Sequence, residues 1–148
     1  MLFRSLARAL GAQHTVQASD DADWQAQVRT LTDGGADVVI EATGAKAIWE
    51  LAPELAAPGG KVLLYSGLAK DERVSILTER WHYDELTILG SFHFTTQDAL
   101  TALEQLRSEQ LPIERLITGT YSLRDLITVF ERLDRGEGIK YAIRPEPV

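Results

Sequence analysis

The sequence predicts an α/β protein built as a doubly wound sheet of parallel strands. Two observations carry this. Short β-branched runs alternate with helical stretches of about a dozen residues, and glycine-containing turns separate them at regular intervals. The first run, Val38-Val39-Ile40, is continuously apolar rather than alternating, which suits a strand covered on both faces of a parallel sheet.

Taken in order, Leu2 to Leu10 reads as the end of a helix stopped by Gly11, and His14 to Ala18 as a short strand. Ser19 or Asp20 can cap a helix that places Trp24, Val28 and Leu31 on one face. Asp33-Gly34-Gly35 is a turn into the strand Ala36 to Ala42, which Thr43-Gly44 breaks. A helix from about Ala45 to Ala56 follows, with Ile48, Leu51 and Leu55 on one stripe, and Pro58-Gly59-Gly60 ends it. Lys61 to Tyr65 is the second apolar strand, closed by Ser66-Gly67, and Leu86 to Phe92 the third. Thr95 with Asp98 has capping-box spacing, for a helix expected to bury Leu100, Leu103 and Leu106. Leu116 to Tyr121 reads as a strand. Ser122 with Asp125 forms a second capping box, for a helix carrying Leu126, Phe130 and Leu133, and Ile139 to Ile143 is a last short strand.

Composition narrows the function. With 45% hydrophobic and 25% charged residues in 148, the chain is neither disordered nor long enough for two ordinary domains. It contains no cysteine, which excludes disulfides, thiolate zinc sites and a cysteine nucleophile within it. Fifteen basic residues against 22 acidic ones give a net charge of −7 without a basic cluster, so no nucleic acid is expected as partner. No apolar stretch approaches the ~18–20 residues a bilayer needs, and the N-terminus has no signal-peptide pattern. A cytoplasmic protein with no membrane association is expected.

In open α/β sheets, ligands lie outside the carboxyl ends of the strands. Three loops qualify: Ala42-Thr43-Gly44, Tyr65-Ser66-Gly67-Leu68 and Leu89-Gly90-Ser91-Phe92. Each sets a small residue beside a hydroxyl or open backbone, so that the main chain can approach a planar ring or a sugar closely. Each is equally a turn that any α/β protein needs. His14, His82 and His93 are scattered, without ligand spacing, and read as surface or packing residues.

Gly35-Ala36-Asp37-Val38-Val39-Ile40-Glu41-Ala42-Thr43-Gly44 followed by Gly59-Gly60-Lys61-Val62-Leu63-Leu64-Tyr65-Ser66-Gly67 resembles the medium-chain dehydrogenase/reductase family. More narrowly, it is similar to the zinc-dependent polyol, threonine and alcohol dehydrogenases. Leu6-Ala7-Arg8-Ala9-Leu10-Gly11-Ala12, Leu86 to Phe92, Leu116-Ile117-Thr118, Tyr121-Ser122-Leu123 and Gly138-Ile139-Lys140 fall in the family's order. The resemblance implies a partial Rossmann-like sheet without its first two strands. Residues 1–94 would be the later part of the dinucleotide-binding domain, and residues 95–148 a stretch that in the family packs on the catalytic domain. It implies NAD or NADP across the three loops: Thr43 and Gly44 near the adenosine half, Ser66, Gly67 and Leu68 lining the nicotinamide, Ser91 and Phe92 at its carboxamide, and Lys140 reaching the pyrophosphate.

The family's G-x-G-x-x-G loop, its strand-2 acidic residue and its zinc ligands have no counterpart in these residues, and Gly119 stands where the family usually has histidine. Zinc in the parent family lowers the pKa of a small-molecule alcohol. With no ligand or base here, the isolated chain is expected to be inactive, with no catalytic or metal-binding residue of its own, and to bind cofactor weakly or not at all. The 36–42 strand, left as an apolar edge, is expected to drive homo-oligomerisation or pairing with a complementary fragment. Two other readings stay open: a short non-catalytic binding or assembly module derived from the same fold, and another doubly wound family such as a methyltransferase.

Overall fold

The computed structural model describes residues 2–19, 23–108, 110 and 112–145. In chain order its helices are α1 (Leu2–Ala9), α2 (Trp24–Leu31), α3 (Lys46–Leu51), α4 (Thr78–Tyr83), α5 (Thr96–Arg107) and α6 (Leu126–Asp134). Its strands are β1 (Ala36–Glu41), β2 (Ala56–Leu64), β3 (Thr87–Gly90), β4 (Ile117–Ser122) and β5 (Lys140–Arg144). Every strand pairing is parallel. The chain divides into two compact units, one of residues 14–94 and one of residues 1–13 with 95–148. No helix among the described residues is long and apolar enough to cross a membrane.

In the 14–94 unit the sheet order is β1-β2-β3, so β1 and β3 are its edges. The register aligns Val39 with Val62 and Ile88, and these face a core of Ala52, Ala56, Val62, Leu64 and Leu86, with Trp49 packed against it. The adjacent row aligns Ile40, Leu63 and Leu89 and points the other way, as strand alternation requires. Ile40 is 61% exposed, Val38 58% and Leu89 48%. The expectation that Val38-Val39-Ile40 is covered on both faces is therefore corrected. Only the face carrying Val39 has a helical cover in this unit.

Several boundaries also differ from the sequence reading. No ladder forms over His14–Ala18; only Ser19 makes an isolated bridge. Asp23, not Ser19, caps α2, its side chain accepting from the Ala26 amide at 2.9 Å, while Asp20 lies outside the described residues. Beyond α3, residues Ala52–Leu55 tighten into a 3₁₀ turn with Pro53 near its start. Pro58-Gly59-Gly60 does not end a helix but bulges within β2: between the pairs Ala36–Ala56 and Val38–Lys61, β2 carries extra residues. A Cβ on Gly35 would sit 2.6 Å from the Ala57 nitrogen, and one on Gly60 2.7 Å from its carbonyl oxygen, so the bulge closes only around these glycines. Arg80 on α4 fastens the helix to this region, donating to the Ala56 carbonyl at 2.7 Å and pairing with Asp84.

In the second unit, α1 ends as expected at Gly11. Its φ of +105° lets the Gly11 and Ala12 amides donate back to Arg8 and Ala7 at 3.0 and 2.9 Å. Both capping boxes form: Thr95 with Asp98 opens α5, and Ser122 with Asp125 opens a 3₁₀ turn (Leu123–Asp125) leading into α6. However, α5 has no buried residue, and Leu100, Leu103 and Leu106 are 50%, 40% and 50% exposed, which corrects the expectation that they are buried. Among the described residues of the unit, none covers that face closely enough to bury it. β4 and β5 form a two-stranded sheet whose end is organised by Tyr121, Tyr141, Arg132 and Glu137. The two rings meet edge to face at 5.3 Å, Arg132 lies over the Tyr121 ring and donates to its hydroxyl, and Glu137 accepts from Arg132 at 2.9 Å and Arg135 at 2.8 Å.

Candidate functional site

The carboxyl ends of β1 and β2 lie side by side because the two strands are parallel and in register through Glu41 and Leu64. The loops leaving the two strands are therefore neighbours. The Glu41 carbonyl accepts from the amides of Tyr65 and Ser66 at 2.9 and 3.3 Å, carrying the ladder one step into the second loop. Gly44, at φ +69°, packs so closely that a Cβ there would lie 3.2 Å from the Gly67 carbonyl oxygen and 3.5 Å from the Ser66 Cβ. By contrast, a Cβ on Gly67 would meet nothing within 4 Å. The two loops form a small cradle with one tight seam and open space before Gly67.

The centre of this cradle is a residue the sequence reading passed over. Glu41 is 2% exposed, a buried carboxylate at a strand end. Its Oε1 accepts from the Thr43 amide at 2.7 Å, the Thr43 hydroxyl at 2.5 Å and the Gly44 amide at 3.0 Å. Burial pushes this carboxyl up, but the Thr43 hydroxyl and amide, the Gly44 amide and the Trp49 indole outweigh it, holding the pKa below the ordinary glutamate value. Trp49 also donates its indole N–H to the Ser66 carbonyl at 2.9 Å. A glutamate ending an apolar run usually faces water; the available signal was the Thr-Gly two and three residues on, which supplies donors at the spacing of a local turn.

Of the residues singled out in the sequence, Thr43, Gly44, Ser66 and Gly67 are brought together directly. Thr43 has its amide and its hydroxyl proton committed to Glu41, and its Oγ1 also accepts from the Ala45 amide at 3.1 Å. Thr43 and Gly44 thus shape the cradle rather than offer it free donors. Leu68 follows, half-buried. Ser91 and Phe92 lie just past β3, which pairs with β2 in register through Leu64 and Gly90; both are exposed, Phe92 at 87%. Lys140 belongs to the other unit, where it opens β5 and its carbonyl accepts from the Thr118 hydroxyl at 3.0 Å. The arrangement at the strand ends fits a flat, polar ligand: small residues, a positive-φ glycine, hydroxyls and an open approach at Gly67. Among the described residues, no group of three or more His, Asp or Glu is placed to hold a metal ion.

A family model described as "Zinc-binding dehydrogenase" matches residues 4–108. The chain belongs to that family. Over 109 residues it is 35% identical to a probable D-xylulose reductase A of Arthroderma otae, an alignment covering 74% of this chain and 30% of that protein. It is 27% identical over 143 residues to the sorbitol dehydrogenase of Gallus gallus, covering 95% of this chain and 39% of that one. A putative zinc-binding dehydrogenase from Sinorhizobium meliloti, solved bound to NADP, superimposes with a TM-score of 0.84 at 28% identity, covering 96% of this chain and 42% of that one. The 2R,3R-butanediol dehydrogenase of Bacillus subtilis shares the fold, with a TM-score of 0.83 at 22% identity, covering 98% of this chain and 41% of that one. The chain thus spans 30% and 39% of the length of the two curated relatives, the D-xylulose reductase and the sorbitol dehydrogenase. It corresponds to the cofactor-domain portion of zinc-type alcohol and polyol dehydrogenases, which separates it from a methyltransferase.

Proposed function

We propose that this chain carries part of the NAD(P) surface of a cytoplasmic zinc-type dehydrogenase whose substrate is a small alcohol or polyol, and that it is catalytically inert by itself. The observation that carries the reading is the seam at which Gly44 meets Gly67, with open space in front of Gly67, at the carboxyl ends of two parallel strands. Bound there, NAD or NADP would supply the hydride-accepting ring. Thr43 and Gly44 hold the shape against the adenosine half; Ser66, Gly67 and Leu68 flank the nicotinamide; the backbone at Ser91 and Phe92 meets its carboxamide. Lys140 contributes a cation for the pyrophosphate. No residue is assigned to alcohol deprotonation. In the parent enzyme, zinc would supply that step by lowering the alcohol's pKa.

The same reading includes association. β1 is an edge strand, and the row Ile40, Leu63 and Leu89 is an open apolar face, so a second copy or a complementary fragment would gain both hydrogen bonds and burial by adding there.

Titration of the isolated chain with NADH, followed by amide NMR, tests the cofactor surface. Weak, fast-exchanging shifts confined to residues 43–44, 66–68, 91–92 and Lys140 are expected. Shifts elsewhere, or none at high cofactor concentration, would overturn the assignment of the loops. Tight saturable binding would overturn the expected weakness.

A further inference from the structure

Glu41 makes contacts to both loops with different parts of itself. Its carboxylate takes three donors from the first loop, at 2.5 to 3.0 Å, and its main-chain carbonyl takes the Tyr65 and Ser66 amides of the second. Trp49 closes the circuit: it stands on α3, immediately after the first loop, and donates to the Ser66 carbonyl. Gly44 rests against the Gly67 carbonyl between them. A carboxylate this buried is costly unless its oxygens are hydrogen-bonded, yet Oε2 has no hydrogen-bond partner. That cost is tolerated where the charge organises several backbone donors at once.

We propose that Glu41 is a positioning residue that joins the loops after β1 and β2 into one preorganised cradle. The carboxylate fixes the first loop, and its influence reaches the second through α3, Trp49 and the Gly44–Gly67 seam. The functional sense of this coupling rests on the loops being the cofactor surface; the coupling itself is a property of the chain alone. Glutamine at this position keeps an acceptor for Thr43 and Gly44 but loses the charge. It also places an amide NH₂ where Oε2 finds no partner, so Glu41→Gln is expected to loosen the turn without emptying the site.

Amide hydrogen exchange on the full chain, with the Trp49 indole N–H resonance as a second readout, tests this. In Glu41→Gln, exchange is expected to quicken about tenfold at Thr43 and Gly44 and also at Tyr65 and Ser66, whose acceptor is the unchanged Glu41 carbonyl, and the Trp49 indole signal should shift. Trp49→Phe, which removes the indole donor to the Ser66 carbonyl, is expected to quicken exchange at Thr43 and Gly44 too. In the double variant the loss should be smaller than the product of the two single losses. Quickening confined to Thr43 and Gly44, or losses that simply multiply, would show that the loops are independent. Should Glu41→Gln not fold by circular dichroism, Thr43→Val keeps the carboxylate but removes the hydroxyl, with its donation to Glu41 and its acceptance from the Ala45 amide, and is expected to give the same two-loop pattern. Failure of the underlying reading looks different. If exchange is coupled but NADH shifts neither loop, the cofactor assignment falls alone; if NADH shifts both loops while exchange is uncoupled, the positioning role falls alone.

Discussion

Gly44 and Gly119 show two separate reasons for a glycine. At Gly44 the backbone is left-handed and the space toward Gly67 is tight, so Gly44→Ala is expected to cost about 1–2 kcal/mol from conformation alone and to splay the cradle seam. At Gly119 the issue is space: a Cβ would lie 2.8 Å from the Tyr121 ring and 3.3 Å from Tyr141. Gly119→Ala should therefore destabilise the 95–148 unit by about 1–3 kcal/mol in urea denaturation, by displacing the edge-to-face ring pair. A side chain there would compete with Tyr121 for its place. Glu137 sets an acid limit on the same cluster. Its hydrogen bonds from Arg135 and Arg132 lower its pKa to about 2 from the ordinary 4.5. Because the folded value is the lower one, the pair's contribution is fully present above about pH 4.5 and is lost as pH falls toward 2. Protonation of Glu137 should move a Tyr121 or Tyr141 ring resonance as pH falls toward 2, and Glu137→Gln should abolish that movement.

The elements divide according to how local their causes are. Gly11 and the capping boxes at Thr95–Asp98 and Ser122–Asp125 were legible because their partners lie within five residues, and the structure forms all three. The parallel pairing of the apolar runs was legible from their continuity. The bulge at Pro58-Gly59-Gly60 was not, because the same three residues that normally terminate a helix also permit a strand to loop out and resume, and only pairing with β1 decides between them. Burial of Leu100, Leu103 and Leu106 was misread for a related reason: spacing says which side chains share a face, not what lies opposite it. Glu41 was missed because its burial depends on Trp49 and the second loop arriving beside it. For β1, an edge strand with exposed Val38 and Ile40, a charge in the apolar row should blunt association. Ile40→Lys is expected to shift sedimentation velocity profiles of the chain toward monomer while leaving its far-ultraviolet circular dichroism unchanged; an unaltered profile would remove β1 and its open face from the assembly proposal.

At the scale of the whole molecule, two units of different character share one chain. The 14–94 unit holds the three-stranded sheet, its core and the cradle; the other holds the two-stranded sheet and the tyrosine–arginine cluster, with Val129 as the buried residue of α6. The cradle and Lys140 belong to different units, so the proposed role of Lys140 is tested apart from the loops. Measuring the NADH response of wild type and Lys140→Ala at low and high salt would test this. Loss of a salt-sensitive part of the shifts is expected, and an identical response would remove Lys140 from the surface. The one-sided sheet carries a further consequence, for tolerance to mutation. Val39, Val62 and Ile88 are apolar because this unit's own core requires it, while Ile40 and Leu89 are apolar without any comparable local need. Saturation mutagenesis scored on the folding of this chain alone should accept polar residues at 40 and 89 and reject them at 39, 62 and 88. The same library scored on dehydrogenase turnover in a complete enzyme should reject them at all five. The positions where the two scores part would trace, residue by residue, the footprint of whatever polypeptide covers the open face.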